Sequence, residues 1–411
     1  MEPLLVSLLG FSLIIMLGFL AEALFDKTHI PDVLILFLIG IFVGPVMNWS
    51  RPESFASIEP IFVSLALMLI LFEGSINLKI TDFLKGAFPG ARLSSTFFFA
   101  SVLVVTGIMM IFGYPMYLGI LLGTIVGGTS SAVVIPMIKL LKLDTATSSI
   151  LTLESTLTDV LCITGAITVT EILKLHDFNF LNTLTSLISV FLIAIAIGMI
   201  CGGIWLYVRY KFPQIKKAYM LSIAYIIFIY VFTELLNSNG AIAVLAFGIF
   251  LGNIKQIFSY LDQESEYHLD ASEKIFYSEI SFFLKVFFFV YLGIIINFQN
   301  MYLFLIGFII TVAVAVVRPF IVNLAVKNGG ELTKEKIVMS IMTPKGLAAA
   351  VLVQVTLKSP FFQSMPLAHD LSVITLSVIL FSILLTSGLV FYYEKFVFSN
   401  QYVKNAKKSK S

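Results

Sequence analysis

Long apolar runs broken by short polar stretches make up nearly the whole chain. A bilayer crossing takes about 20 apolar residues. On that measure the pattern predicts helices near 3–25, 32–47, 59–78, 93–112, 116–141, 147–174, 182–209, 216–236, 240–254, 275–296, 301–327, 334–357 and 370–394. The breaks carry stop signals: Asp26-Lys27 before Pro31, Pro52, Gly113-Tyr114-Pro115, Pro213, Asn237-Ser238-Asn239-Gly240 and Asn328-Gly329-Gly330. Only 255–274 is a connection of any length; it mixes acidic and basic residues and is expected to lie along the membrane surface. The run from Leu4 outlasts a signal-peptide core and follows no basic segment, so it is expected to be a retained first helix.

Composition agrees with this pattern. Of 411 residues, 59% are hydrophobic and 12% charged, whereas soluble domains carry about 25% charged residues. The expected fold is an all-α polytopic membrane protein with thirteen transmembrane helices, 1–398 forming one transmembrane unit and 399–411 a basic cytoplasmic tail that leans on anionic headgroups. A net charge of +2 argues against nucleic acid as a partner. Cys162 and Cys201 lie in apolar runs and the four histidines in predicted loops, so thiolate cages, haem and other cofactors are not expected. No nucleophile–base spacing in the spans suggests an enzyme. With the C-terminus cytoplasmic, twenty basic residues fall on the inner face and only Arg51, Lys174 and Lys358 on the outer, which sets the N-terminus outside.

Charges inside the spans carry the chemistry. Glu73, Glu154 and Asp159 lie away from helix ends, with Glu279 nearer the start of its helix, and Lys285, Arg318 and Lys345 are the intramembrane cations. An ionised group at mid-bilayer costs roughly 2.5–3.5 kcal/mol on insertion scales, so each implies an ion path or a buried pair. Structural pairing suits Glu154 with Arg318, which leaves Asp159 available to a mobile cation. Asp159 lies some twelve residues into the sixth helix, about 18 Å at 1.5 Å per residue and near the midplane. Ser155 and Asp159 share one face, Glu154 and Thr158 the next, so Thr158 is expected beside Ser155 and Asp159 among the ion-binding residues. Hard oxygen ligands of this kind suit an alkali cation or a proton. Lys285 has three open outcomes: pairing with Glu279, pairing with Glu73, or snorkelling to an interface.

Two helices are interrupted. Gly127-Gly128-Thr129-Ser130-Ser131 before Pro136 breaks the fifth, and Thr343-Pro344-Lys345-Gly346 the twelfth. Their opposite directions are those of inverted repeats whose broken helices cross at the bilayer midplane, where Lys345 could neutralise a half-helix dipole.

In Leu71-Phe72-Glu73-Gly74, Gly128-Thr129, Glu154-Ser155 with Asp159, Arg318, and Thr343 to Ala350, the sequence resembles a monovalent cation:proton antiporter of the NhaP type, within the sodium/hydrogen exchanger superfamily. The resemblance implies a homodimeric transporter in a prokaryotic plasma membrane. It implies an interface bundle (3–78 and 182–296) and a mobile core bundle (93–174 and 301–394). By position it implies Asp159 as the carboxylate that holds H⁺ or Na⁺, Ser155 and Glu73 as oxygen ligands, the Thr129 carbonyl as another, and Glu154–Arg318 as a brace. Many relatives have Asn where this chain has Thr158, and some have Asp where it has Ser130. A single carboxylate at the pair position favours electroneutral exchange of Na⁺ or Li⁺ for H⁺. A K⁺/H⁺ antiporter is the nearest rival; a sodium-coupled organic anion symporter and a passive cation channel stand behind it.

Overall fold

The computed structural model describes residues 3–28, 30–49, 59–77, 88–141, 143–174, 180–212, 218–260, 271–296, 298, 300–326, 334–357, 359–363, 365 and 367–398. The expected surface segment is described only in part, and the basic tail 399–411 lies outside these residues. All the regular secondary structure among the described residues is helical.

In chain order the helices are α1 (Pro3–Thr28), α2 (Asp32–Ile41, closing in a π turn around Pro45), α3 (Glu59–Ile76), α4 (Phe88–Ile111), α5 (Met116–Val126), α6 (Ser131–Leu141), α7 (Thr145–Lys174), α8 (Phe180–Lys211) and α9 (Ala218–Leu235). They continue with α10 (Gly240–Gly252), α11 (Ile254–Tyr260), α12 (Ala271–Ile295), α13 (Met301–Ala325), α14 (Lys334–Ile341), α15 (Leu347–Leu357), α16 (Pro360–Gln363) and α17 (Ala368–Tyr392). Each predicted stretch holds a helix or a pair of half-helices, with ends shifted by a few residues. Among the described residues, seven helical stretches are long and apolar enough to cross a membrane by length and composition. The halves on either side of each break are shorter because Gly, Thr and Ser at one, and Pro344 with Gly346 at the other, do not hold helical backbone.

Packing sorts the helices into two sets. In one, α12 lies against α2 and α3, while α10 lies against α3, α8 and α9. In the other, α4 packs on α5, α7 and α13, and α17 on α13 and α15. The sets meet where α3 touches α7 and α15, and where α17 touches α2. Small residues set the closest approaches, as is usual where lipid supplies no hydrophobic drive between helices. A Cβ added at Gly40 of α2 would stand 2.8 Å from the Gly293 Cα of α12, so these two backbones nearly touch.

Candidate functional site

The two breaks meet. The Ser130 N–H donates to the Pro344 carbonyl at 2.8 Å, joining one unwound segment directly to the other. Lys345, 3% exposed, donates from Nζ to the Gly128 carbonyl at 2.7 Å, and its backbone N–H donates to Ser382 Oγ of α17 at 2.9 Å. A helix break frees carbonyls that hydrocarbon cannot satisfy, and the ammonium satisfies one of them. Gly346 is required by this crossing: an added Cβ would overlap Ser130 Oγ and stand 2.6 Å from Ser130 Cβ.

Helix α7 runs past the crossing and fastens it. Thr158 accepts from the Thr129 N–H at 3.0 Å and donates to the Ser155 carbonyl at 3.2 Å, so its hydroxyl is spent on holding the first break against α7. Ser155 is buried, and its hydroxyl donates to the Thr152 carbonyl at 3.1 Å within its own helix. The hydroxyl that reaches Asp159 is instead that of Ser131, which donates to Oδ2 at 2.8 Å from the first residue of α6. Ser131 went unnoticed as a partner in the sequence because spacing along one helix cannot show a residue delivered from another. Its signal is position: the first helical residue after the first break.

Glu154 and Arg318 form a buried two-pronged pair. Both guanidinium nitrogens Nη1 and Nη2 reach the two carboxylate oxygens, Nη2–Oε2 at 2.7 Å, and Nε donates to the Met339 carbonyl at 2.9 Å. Glu154 is 1% exposed and Arg318 0%. Phe97 of α4 separates the two cations, its ring 4.3 Å from Arg318 Cζ and 4.8 Å from Lys345 Nζ.

Asp159, in contrast, faces open space. It lies on the wall of a cavity of about 990 Å³ that also takes in Glu73 and Asn77 at the end of α3, Ser131 and Pro136 of α6, and Thr152 of α7. Glu22 of α1, with Glu279 and Lys285 of α12, completes its charged lining. Thr129 and Ser155 are buried behind this wall rather than on it. Four carboxylates against one ammonium make the cavity attractive to cations. That ammonium is committed elsewhere: Lys285 Nζ pairs with Asp32 Oδ2 at 2.6 Å. The pairing expected with Glu279 or Glu73 is therefore replaced. The close approach of α2 to α12 brings in a carboxylate from the first turn of α2, whose other oxygen accepts from the Val33 N–H at 2.9 Å. At the start of α2, Asp32 carries no sequence signal for such a pairing. Among the described residues no cluster of three or more His, Cys, Asp or Glu could hold a metal ion.

The geometry amounts to a cavity-lining carboxylate near the middle of a long helix, partnered by a hydroxyl, next to two unwound segments. The family model described as "Sodium/hydrogen exchanger, transmembrane" matches residues 12–393. Na(+)/H(+) antiporter 1 of Methanocaldococcus jannaschii is 26% identical over 362 residues, covering 84% of this chain and 82% of that protein. K(+)/H(+) antiporter NhaP2 of Shewanella baltica is 27% identical over 237 residues, covering 56% of this chain and 40% of its own. The solved structure of the sodium proton antiporter MjNhaP1 from Methanocaldococcus jannaschii at pH 8 superposes with a TM-score of 0.76 at 22% identity, covering 94% of this chain and 98% of that one.

Proposed function

Since the chain belongs to the sodium/hydrogen exchanger family, we propose that it exchanges Na⁺ or Li⁺ for H⁺ across a prokaryotic plasma membrane, one for one, by alternating access. The observation that carries this reading is Asp159: it faces the cavity and its partner is the Ser131 hydroxyl rather than a fixed cation. At a given facing the carboxylate is neutralised by a proton or by the cation. Only the neutralised site crosses at reasonable cost, because a bare carboxylate would have to shed its water. Ser131 supplies the hydroxyl beside Asp159, and the further oxygens of the proposed site are those of Thr129 and Ser155, buried behind the cavity wall, and of Glu73, which lines it. The position before Asp159 is Thr158, whose hydroxyl is used by the first break, so one charge is available per cycle and the exchange is electroneutral. No cofactor and no covalent step enter this scheme.

In this reading the chain makes thirteen crossings with an inverted repeat, N-terminus outside and C-terminus cytoplasmic. The helix set holding both breaks moves as the core, and the set built on α3, α10 and α12 forms the interface of a homodimer. With that orientation the cavity, lined by Glu22 and Asn77 near the ends of their helices and by Thr152 and Ser278 near the starts of theirs, opens to the cytoplasmic half, an inward-facing state.

K⁺ is the second candidate cation, favoured by the relatives named as K⁺/H⁺ antiporters. An organic anion is disfavoured because the buried guanidinium is already held by Glu154. Dequenching of a ΔpH dye in everted vesicles, with Na⁺, Li⁺ and K⁺ added in turn, tests the proposal. Na⁺ and Li⁺ should collapse the gradient and Asp159→Asn should abolish the response; full exchange by Asp159→Asn sinks the assignment.

A further inference from the structure

One face of α6 forms part of the cavity wall: Ser131, Ala132, Ile135 and Pro136 all line it. Asp159 and Ile163 of α7, which packs against α6, line the same space. Pro136 stands inside α6 and not in its first turn. A proline has no N–H, so the carbonyl four residues earlier loses its helical donor, and the ring crowds that carbonyl aside. Four residues before Pro136 is Ala132, the neighbour of Ser131, whose hydroxyl donates to Asp159 at 2.8 Å. Helical carbonyls point towards the C-terminal end, so the Ala132 oxygen points away from the crossing, along the wall that Pro136 continues. Backbone freed at this depth in a membrane is tolerated where it lines a cavity.

We propose that the Ala132 carbonyl, released by Pro136, is a ligand of the monovalent cation that Asp159 binds. Carbonyl oxygens suit hard cations and replace part of their water shell. A carbonyl also adds a ligand without adding charge, so one carboxylate and one alkali cation still make a neutral site. Its place on the cavity wall, one residue from the partner of Asp159, puts it on the path of a cation entering from the cavity. Pro45 and Pro319 also interrupt helices, but in α2 and α13 and away from this cavity. The proline in α6 is thus a specificity device placed in the backbone, where no polar side chain marks it.

The inference rests on the exchange reading, and its test uses the full chain, purified in detergent for binding and in everted vesicles for transport. Pro136→Ala restores the N–H, and with it the helical bond to Ala132, in a residue that favours helix. Equilibrium binding of radioactive Na⁺ should weaken about fivefold, the loss of one modest polar contact. The KM for Na⁺ should rise by a similar factor with kcat unchanged, as expected when ground-state binding alone is lost. The unfolding midpoint without Na⁺ should be no lower than that of the wild type. Pro45→Ala makes the same replacement away from the cavity and should leave Na⁺ binding unmoved. The ligand role is overturned if Pro136→Ala binds Na⁺ as the wild type does, or if it lowers kcat with KM unmoved, which would make the proline a hinge. It is also overturned if the midpoint of Pro136→Ala falls, or if Pro45→Ala weakens binding as much, since either traces the loss to the fold. Those results leave the exchange reading standing; that reading falls only to full exchange by Asp159→Asn.

Discussion

Ser131 Oγ donates to Asp159 Oδ2 at 2.8 Å across the gap between α6 and α7. A hydroxyl that donates to a carboxylate favours its ionised form, and so favours the cation over the proton. Ser131→Ala should therefore strengthen the proton's hold. A hydrogen bond to a charged group is worth about 1.5–3 kcal/mol, so the acid limb of the activity profile should move up by about one pH unit. Ser131→Thr should restore it. Exchange rate against pH at fixed Na⁺ checks both variants, and an unmoved limb in Ser131→Ala refutes the role.

Glu154 and Arg318 are held to each other and not to a mobile ion. Removing one partner from a buried pair leaves an uncompensated charge and costs about 3–5 kcal/mol. Glu154→Gln and Arg318→Gln should each lower the thermal unfolding midpoint in detergent sharply. The double variant should recover part of the loss. Wild-type stability with no transport in Glu154→Gln would make Glu154 a carrier instead of a brace.

Gly346 is packed against Ser130 where the breaks cross. Gly346→Ala should abolish exchange or folding, since Ser130 is fixed by its own N–H bond to Pro344 and cannot retreat. Ser130→Gly removes the clashing side chain, so the double variant should regain exchange. Yield of monodisperse protein and transport in the double variant decide the matter.

Lys285 without Asp32 would leave a bare ammonium on the cavity wall. Asp32→Asn should raise the KM for Na⁺ several-fold, and Asp32→Asn with Lys285→Met should bring it back. An effect that survives in the double variant would trace to the fold and not to charge.

Asp144 caps α7 outside the membrane-spanning stretch, accepting from the N–H groups of Ala146 and Thr147 at 3.1 and 3.2 Å. The Thr147 hydroxyl and these N–H groups hold its carboxyl below the ordinary 3.8. A carboxylate with a lowered folded-state pKa contributes stability in full above that ordinary value and loses it as pH falls through the folded one. Asp144→Ala should cost about 1 kcal/mol at neutral pH. The difference between wild type and variant should vanish in acid. Unfolding midpoints at several pH values measure it.

Much of this was legible in the sequence. Apolar run length fixed the helices because lipid leaves the backbone no alternative. The glycine, serine and proline clusters marked both breaks, and the cost of buried charge singled out Asp159 and the Glu154–Arg318 pair. What the sequence could not show was contact between helices far apart in the chain. Spacing within α7 offered Ser155 as the partner of Asp159, whereas the break delivers Ser131. Asp32 was hidden by its place in a first turn, where a carboxylate ordinarily serves the helix dipole. Phe97 carries no polar signal at all, yet it spaces Arg318 from Lys345.

The bond from Ser130 to Pro344, together with the reach of Lys345 to Gly128, ties the unwound segments into one knot. Under the proposed alternating access, a knot of this kind would travel whole. Whichever compartment it looks out on, the guest meets the same atoms at the same spacing, so neither side is built in as the donor. The machine then has no preferred sense of rotation, and a reversed pair of gradients should run it backwards at comparable speed.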